Sequence, residues 1–361
     1  MSILWTPFTI GQMKLEHRLA MSPMTRSRAL PDGTPSALAA HYYAQRASLG
    51  LLITEGTQPS EDGQGYLTTP GIHTDEQVEG WRSVSDAVHE AGGYLFIQLM
   101  HTGRVSHPDN TPHGRQPVAP SAIAPGTQMF TASGMQDIPK PRALDRDEIA
   151  ETVDEFRTAA ARAVEAGADG VEIHGANGYL IQQFLSSNAN TRTDEYGSSV
   201  AGRIRFGVEV AKAVADEIGA ERTGFRISPG ATLNGIDEGA ESAETYRALV
   251  GELAKLDLAY LHVMHWGDEQ LLRDIRALWP NALLVNRPGR SREELAADLE
   301  AGLADVIPVG QWALANPDLV QRLKDGEPFN DADPSTFYGG GEQGYTDYPA
   351  LDGGSHGQPA A

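Results

Sequence analysis

Short runs of continuous apolar character alternate along this chain with longer stretches in which apolar positions recur at helical spacing. The runs are Leu19–Met24, Leu51–Thr54, Tyr94–Leu99, Gly170–His174, Gly224–Ser228, Ala259–Val263, Ala282–Val285 and Asp305–Val309. Runs with no polar alternation read as strands buried on both faces, the pattern of parallel sheets. Between them, Ile149–Glu165 sets Ile149, Val153, Phe156, Ala160, Ala163 and Val164 on one helical stripe, and Gly167 follows as a helix-closing residue. Ile204–Ile218 carries similar spacing. Eight repeats of strand and helix predict an α/β fold, a single (β/α)8 TIM barrel with helices outside. A doubly wound open sheet is the weaker rival, because no G-x-G-x-x-G follows an early strand.

Two stretches break the alternation. Thr102–Asp145, after the third strand, is rich in Pro and His and lacks clear periodicity, so a long loop or cap insertion is expected over about 102–145. Loops of that length in a compact domain usually serve function, for instance as a lid. The barrel is expected to occupy 1–340, and 341–361 to form a partly disordered C-terminal tail, with Gly353–Ala361 its disordered end.

Composition narrows the function. The chain has 361 residues, 40% of them hydrophobic, with 39 Gly and 22 Pro, which suits a globular barrel rich in turns. A formal charge of -21 argues against nucleic acid or an anionic membrane surface as partner. The absence of Cys removes disulfides, thiolate catalysis and Cys-ligated metals. No apolar run approaches the length of a membrane helix, and the start lacks the pattern of a signal peptide, so a soluble cytoplasmic protein is expected.

A barrel places its chemistry at the C-terminal strand ends. Those ends carry Thr25 and Arg26, Glu55 and Gly56, Gln98 and His101, His174 and Asn177, Arg226, and His265 with Trp266. The segment His174-Gly-Ala-Asn-Gly-Tyr179 is the richest. An imidazole and a carboxamide can donate to one oxygen, and a phenol adds a proton source nearby. That set suits reduction of a carbon–carbon double bond activated by a carbonyl; read alone, it is equally an ordinary strand end and Gly turn. Lys14, Lys140, Lys212, Lys255 and Lys324 all lie outside the strands, against a Schiff-base aldolase. No His-x-His follows the first strand and the carboxylates fall mostly on helices, so no metal site is expected.

The chain resembles the Old Yellow Enzyme family of flavin-dependent ene-reductases over nearly its whole length. Besides His174–Tyr179 with Gln183-Phe184-Leu185, the matching stretches are Ser22-Pro-Met-Thr-Arg-Ser-Arg28, Glu55-Gly-Thr-Gln58 and Gln98-Leu-Met-His-Thr-Gly-Arg104. Further matches are Asn190–Gly197, Arg226-Ile-Ser-Pro229, Ala315–Leu319 and Thr336–Gly341. The resemblance implies FMN over the barrel mouth, reduced by NADPH or NADH and reoxidised by an enone or enal. It implies that Thr25 touches the flavin carbonyl, Gln98 bonds the pyrimidine edge, Pro23, Met24 and Gly56 line the ring, and Arg226 lies beneath it. His174 and Asn177 would grip the substrate carbonyl and Tyr179 would protonate its α-carbon. Met100 and Tyr338 would line the substrate cavity, with Trp266 a further candidate. A monomer or homodimer is expected.

The phosphate end departs from the family. After strand seven the usual small pair is replaced by Asn286-Arg-Pro-Gly-Arg290, and after strand eight the usual Gly-Arg becomes Gly310-Gln311. Pro288 has no N–H, and Gln311 supplies no charge. One reading is a rearranged FMN cradle in which Gly289, Arg290, Gly310 and Gln311 meet the phosphate, with charge restored by Arg287 or Arg290. The other is a deazaflavin coenzyme (factor 420), whose acidic tail would meet those arginines. A third, a non-catalytic small-molecule-binding barrel, is disfavoured by the joint presence of His174, Asn177, Tyr179, Gln98, Thr25 and Arg226.

Overall fold

The protein was analysed as a computed structural model, which describes residues 2–351. Eight parallel strands form its centre: β1 (Leu19–Met21), β2 (Leu51–Ile53), β3 (Tyr94–Leu99), β4 (Gly170–Gly175), β5 (Thr223–Ile227), β6 (Tyr260–Met264), β7 (Ala282–Asn286) and β8 (Ile307–Val309). Each pairs with its sequence neighbour, β8 pairs with β1, and a parallel bridge between Leu284 and Val306 closes the ring. All eight apolar runs are therefore strands, and the open-sheet alternative is excluded. The first run extends to Met24 in the sequence pattern, yet β1 ends at Met21. Pro23 has no N–H to offer the ladder, and the chain there turns toward the barrel mouth.

Helices Asp75–Glu90 and Arg146–Glu165 both begin in capping boxes, Thr74 with Gln77 and Asp145 with Glu148. The second cap starts its helix at Arg146, ahead of the first apolar position, Ile149. Val200–Ile218 likewise starts early, where the Ser199 hydroxyl accepts from Gly202 N–H.

Strand parity sorts the core into two. Outward residues such as Leu52, Ile97, Val171, Phe225 and Val285 pack on the helices, while Leu51, Ile53, Phe96, Tyr260 and Leu284 fill the lower barrel. A hairpin of Phe8–Ile10 with Met13–Leu15 closes the bottom through Ile10, Met13 and Leu15. Gly170 and Gly224 are needed at this level: a Cβ on either would stand 2.6 Å from the Phe96 ring or 2.2 Å from the Tyr260 ring. One layer higher, the inward positions turn polar, with Gln98, Glu172, Arg226 and His262 all buried.

Between β3 and helix Arg146–Glu165, the segment read as aperiodic contains an antiparallel hairpin, Gln128–Thr131 with Gly134–Asp137, and a parallel pairing of Val118–Ala119 with Arg142–Ala143. At the other end of the chain, residues 341–351, assigned above to a partly disordered tail, are anchored to the barrel at Gly344 and Tyr345. Tyr345 is fully buried and stacks on Tyr42 at 4.2 Å, and Arg26 and Arg28 donate to the carbonyls of Gly344 and Gln343. Gly353–Ala361 lie outside the described residues. Among the described residues no helix is long and apolar enough to cross a membrane.

Candidate active site

The turn after β4 is set by its backbone and braced from below. Asn177 adopts φ 57°, in the left-handed region, and Gly178 follows at φ 83°. The Asn177 N–H donates to Ser228 Oγ at 2.9 Å and its carbonyl accepts from Asn234 Nδ2 at 2.8 Å. Gln182 Oε1 accepts from Gly178 N–H, and Gln183 donates to the carbonyls of Gly178 and Thr102. These bonds consume the local backbone groups and leave the side chains free. His174 Nδ1 and Asn177 Oδ1 have no partner in the protein.

His174 is 3% exposed, and Tyr179 sits edge-on to it with ring centroids 5.1 Å apart. Burial, with the Arg226 guanidinium adding positive field, holds the His174 imidazole well below its usual pKa. The ring is therefore neutral at physiological pH and carries one N–H. Burial pushes the Tyr179 hydroxyl above its usual pKa, opposed by hydrogen bonding from Tyr66, so the phenol keeps its proton. Tyr66 is the partner that the sequence reading missed. Its hydroxyl lies 3.0 Å from that of Tyr179, with the rings perpendicular. Nothing in the run Gly65-Tyr66-Leu67 marks it, because the contact spans more than a hundred positions.

Two cavities flank the loop after β1. One, of about 620 Å³, is lined by Thr25, Tyr66, Tyr179, Asn234 and Tyr338, with Met129, Phe130, Met135 and Ile138 from the hairpin. The other, of about 480 Å³, is lined by Pro23, Met24, Arg226, Asn286–Arg290, Gly310 and Gln311. Thus Pro23 and Met24 face one cavity while their neighbour Thr25 faces the other. The Glu55 carboxylate accepts from the N–H groups of Arg26 and Ser27, both at 2.9 Å, and pins this loop. Tyr338 is brought to the mouth by Arg26 and Arg28, which donate to the carbonyls of Phe337 and Thr336 just before it.

The remaining candidates divide. Gln98 lies on β3 beside Glu172 of β4, to which its Nε2 donates at 2.7 Å. Arg226 on β5 is paired in register with His174, and its Nε lacks a partner. Met100 is buried in a cluster with Val105, Met129, Ile138 and Tyr179. It also explains Gly56, where a Cβ would lie 2.4 Å from the Met100 sulfur. Trp266 does not join the first cavity. It is 44% exposed and lines a small hollow with Pro229, His265 and Leu271.

At the second cavity, both arginines hold carboxylates. Arg287 pairs with Glu269 and with buried Asp298, and Arg290 donates to the same Asp298 carboxylate at 2.6 Å. The sequence pattern placed these arginines but not Glu269 and Asp298, which arrive from the helices Glu269–Leu278 and Ala297–Glu300.

Unpartnered donors and acceptors at a buried barrel mouth, beside a cavity bordered by Arg226 and two strand-end loops, fit a planar heterocycle with a phosphate tail. The comparisons with known proteins agree. The profile of the NADH:flavin oxidoreductase / NADH oxidase family matches residues 3–330. A probable flavin mononucleotide-dependent alkene reductase of Leishmania infantum is 41% identical over 358 residues, covering 97% of this chain and 98% of the relative. The 12-oxophytodienoate reductase 1 of Oryza sativa subsp. japonica is 42% identical over 363 residues, covering 97% and 93%. Among solved structures, morphinone reductase in complex with tetrahydroNAD superimposes with a TM-score of 0.93 at 43% identity, covering 99% of each chain. The Old Yellow Enzyme homologue from Zymomonas mobilis gives a TM-score of 0.93 at 38% identity, covering 96% of this chain and 99% of that one. The chain belongs to the NADH:flavin oxidoreductase / NADH oxidase family and is an oxidoreductase of the Old Yellow Enzyme type.

Proposed function

We propose that the protein is an FMN-dependent ene-reductase acting on α,β-unsaturated carbonyl compounds. The observation that carries this reading is the set of unpartnered polar atoms on His174 and Asn177, next to a protonated Tyr179, at the mouth of a closed barrel. Bound FMN would supply the redox chemistry, taking a hydride from NADPH or NADH and delivering it to the β-carbon of the alkene. Thr25, Gln98 and Arg226 would hold the heterocycle, and the loops carrying Gly289, Arg290, Gly310 and Gln311 would surround its phosphate.

The protein's own residues do the rest. His174, neutral, and Asn177, through its Nδ2, donate hydrogen bonds to the substrate carbonyl oxygen, where negative charge grows during the reaction. Tyr179 holds a proton for the α-carbon, with Tyr66 behind it to share the charge left on the phenol. The cavity above them is walled mostly by apolar side chains, Val105, Met129, Phe130 and Ile138 among them. A bulky, hydrophobic enone or enal is therefore the substrate class it suits. The relatives described above are alkene, 12-oxophytodienoate and morphinone reductases, which supports the same class.

The deazaflavin alternative requires both Arg287 and Arg290 to meet an acidic tail, but Arg287 is committed to Glu269 and Asp298, which leaves only Arg290, held by Asp298 alone, with donors to spare. We do not carry it further. The test is titration of purified protein with FMN, then anaerobic reduction by NADPH or NADH and reoxidation by cyclohexenone. Failure to bind FMN, or binding without reoxidation by the enone, overturns the reading.

A further inference from the structure

The barrel layer beneath the proposed flavin site contains a carboxylate that neither the substrate chemistry nor the phosphate contacts use. Glu172 on β4 has no exposed surface. Its Oε1 accepts from Gln98 Nε2 of β3 at 2.7 Å, and its Oε2 bonds His262 Nδ1 of β6 at 2.9 Å. Arg226 stands between them on β5, in register with His262 on one side and with His174 on the other. Four inward side chains from four consecutive strands thus form one polar layer, centred on a single negative charge.

A buried carboxylate without compensation is expensive and gives up its charge. Burial pushes the Glu172 pKa up, but His262, Arg226 and Gln98 together outweigh it and hold the carboxyl below its usual range. Burial also keeps His262 low and neutral despite the attraction of Glu172, which fits a ring that donates Nδ1–H and keeps Nε2 without a partner. The layer therefore contains one cation, Arg226, and one anion, Glu172.

We propose that Glu172 is a positioning residue for the flavin, acting through Gln98 and Arg226 to set the cofactor's reduction potential. The inference rests on the FMN reading above. Two effects follow from the geometry. By taking one N–H from Gln98, Glu172 fixes which way that amide points, so its oxygen and remaining N–H are presented in a defined order. By balancing Arg226, it leaves the guanidinium free to bond, since Arg226 Nε has no partner and Nη2 meets only the Met264 sulfur at 3.5 Å. At the same time it prevents a full net positive charge from lying under the ring. Reduction adds electrons to that ring, so removing the anion makes reduction easier.

The experiment compares wild type with Glu172→Gln and Glu172→Asp, each loaded with FMN. Glu172→Gln keeps the shape and loses the charge. Its midpoint potential is expected to rise by about 30–60 mV, a tenfold to hundredfold shift toward the reduced form for a two-electron couple. Glu172→Asp keeps the charge and shortens the reach to Gln98. It is expected to hold the potential within about 10 mV, less than a threefold shift, while FMN dissociation becomes roughly tenfold easier. A Glu172→Gln variant that binds FMN and turns over enone at an unchanged potential overturns the inference and leaves the enzyme assignment standing. If Glu172→Gln does not fold, Glu172→Asp decides alone: unaltered FMN affinity overturns the positioning role. Wild type that binds no FMN removes both this inference and the reading beneath it.

Discussion

His174 and Asn177 leave the same strand end with buried polar atoms that no protein group satisfies, open to a ligand or water. Replacing both by Ala should cost at least the roughly 10²–10³-fold in turnover typical of one lost donor to a developing oxyanion. The double variant should also lose binding of phenols, read as the disappearance of their long-wavelength absorbance with oxidised flavin; retention of both properties would remove the pair from the site. Tyr179→Phe addresses the proton. Reduction by the nicotinamide should proceed at a near-normal rate, while reoxidation by an enone slows by about 10²–10⁴. Equal slowing of the two half-reactions would assign Tyr179 to packing. His174, Asn177 and Tyr179 were legible because they fall within one six-residue turn. Tyr66 and Glu172 were not: Tyr66 meets Tyr179 only through the fold, and Glu172 sits inside a strand whose apolar neighbours hide its inward direction. Trp266 was misplaced for the converse reason, since sequence position at a strand end does not say which way the chain departs.

The eight strands and the two long helices were legible as elements because buried parallel strands are continuous apolar runs and helices repeat their apolar stripe. Hairpin Gln128–Asp137 was not, for its strands are four residues each and only Met129 and Thr131 on the first are buried. The anchored C-terminal segment was hidden by its Gly content, although Tyr345 and its arginine partners secure it. Loops after β7 and β8 carry the sharpest departure from the family and a prediction of their own. Arg287, Arg290, Glu269 and Asp298 sum to no net charge, so a phosphate here meets less positive field than the arginine count suggests. Arg290 keeps only one bond, to Asp298, and has donors to spare. Arg290→Ala should therefore weaken FMN by roughly 10- to 150-fold, the equivalent of about 1.5–3 kcal/mol for a bond to a charged group. Gln311→Arg should tighten it, because it restores a charged fork where an exposed amide now stands. Both are read by titrating flavin fluorescence; an affinity indifferent to both substitutions would place the phosphate elsewhere.

Across the whole molecule, folding buries several imidazoles, and this couples stability to pH. His101, at the end of β3, has its pKa pushed down to about 4 by burial. His17, His73, His174, His262 and His265 are all shifted downward, burial being the largest cause in each. In the unfolded chain these rings take up protons near their ordinary pKa of about 6.5. In the folded protein they resist until lower pH. The unfolded state therefore binds more protons, and stability falls as pH drops below about 6.5, by up to about 1.4 kcal/mol per pH unit for each fully buried ring and by less for His73 and His265, which stay partly open to solvent. For His101 the loss ends near pH 4, where the folded state also protonates. The paired carboxylates Glu148, Asp194 and Glu269, whose pKa values are lowered by their arginine partners, add their losses only beneath their ordinary range near 4. Decline between pH 6.5 and 5 is thus a histidine effect. His101→Asn retains a short polar ring substitute able to accept from the Gly103 N–H, as His101 Nδ1 does at 3.0 Å, without the titration. Thermal unfolding of wild type should show a melting temperature that drops steadily over pH 6.5 to 5. The variant should start from its own melting temperature at pH 7 and fall less steeply across that window. Parallel slopes for the two proteins would exclude His101 from the coupling and assign it to the remaining buried rings.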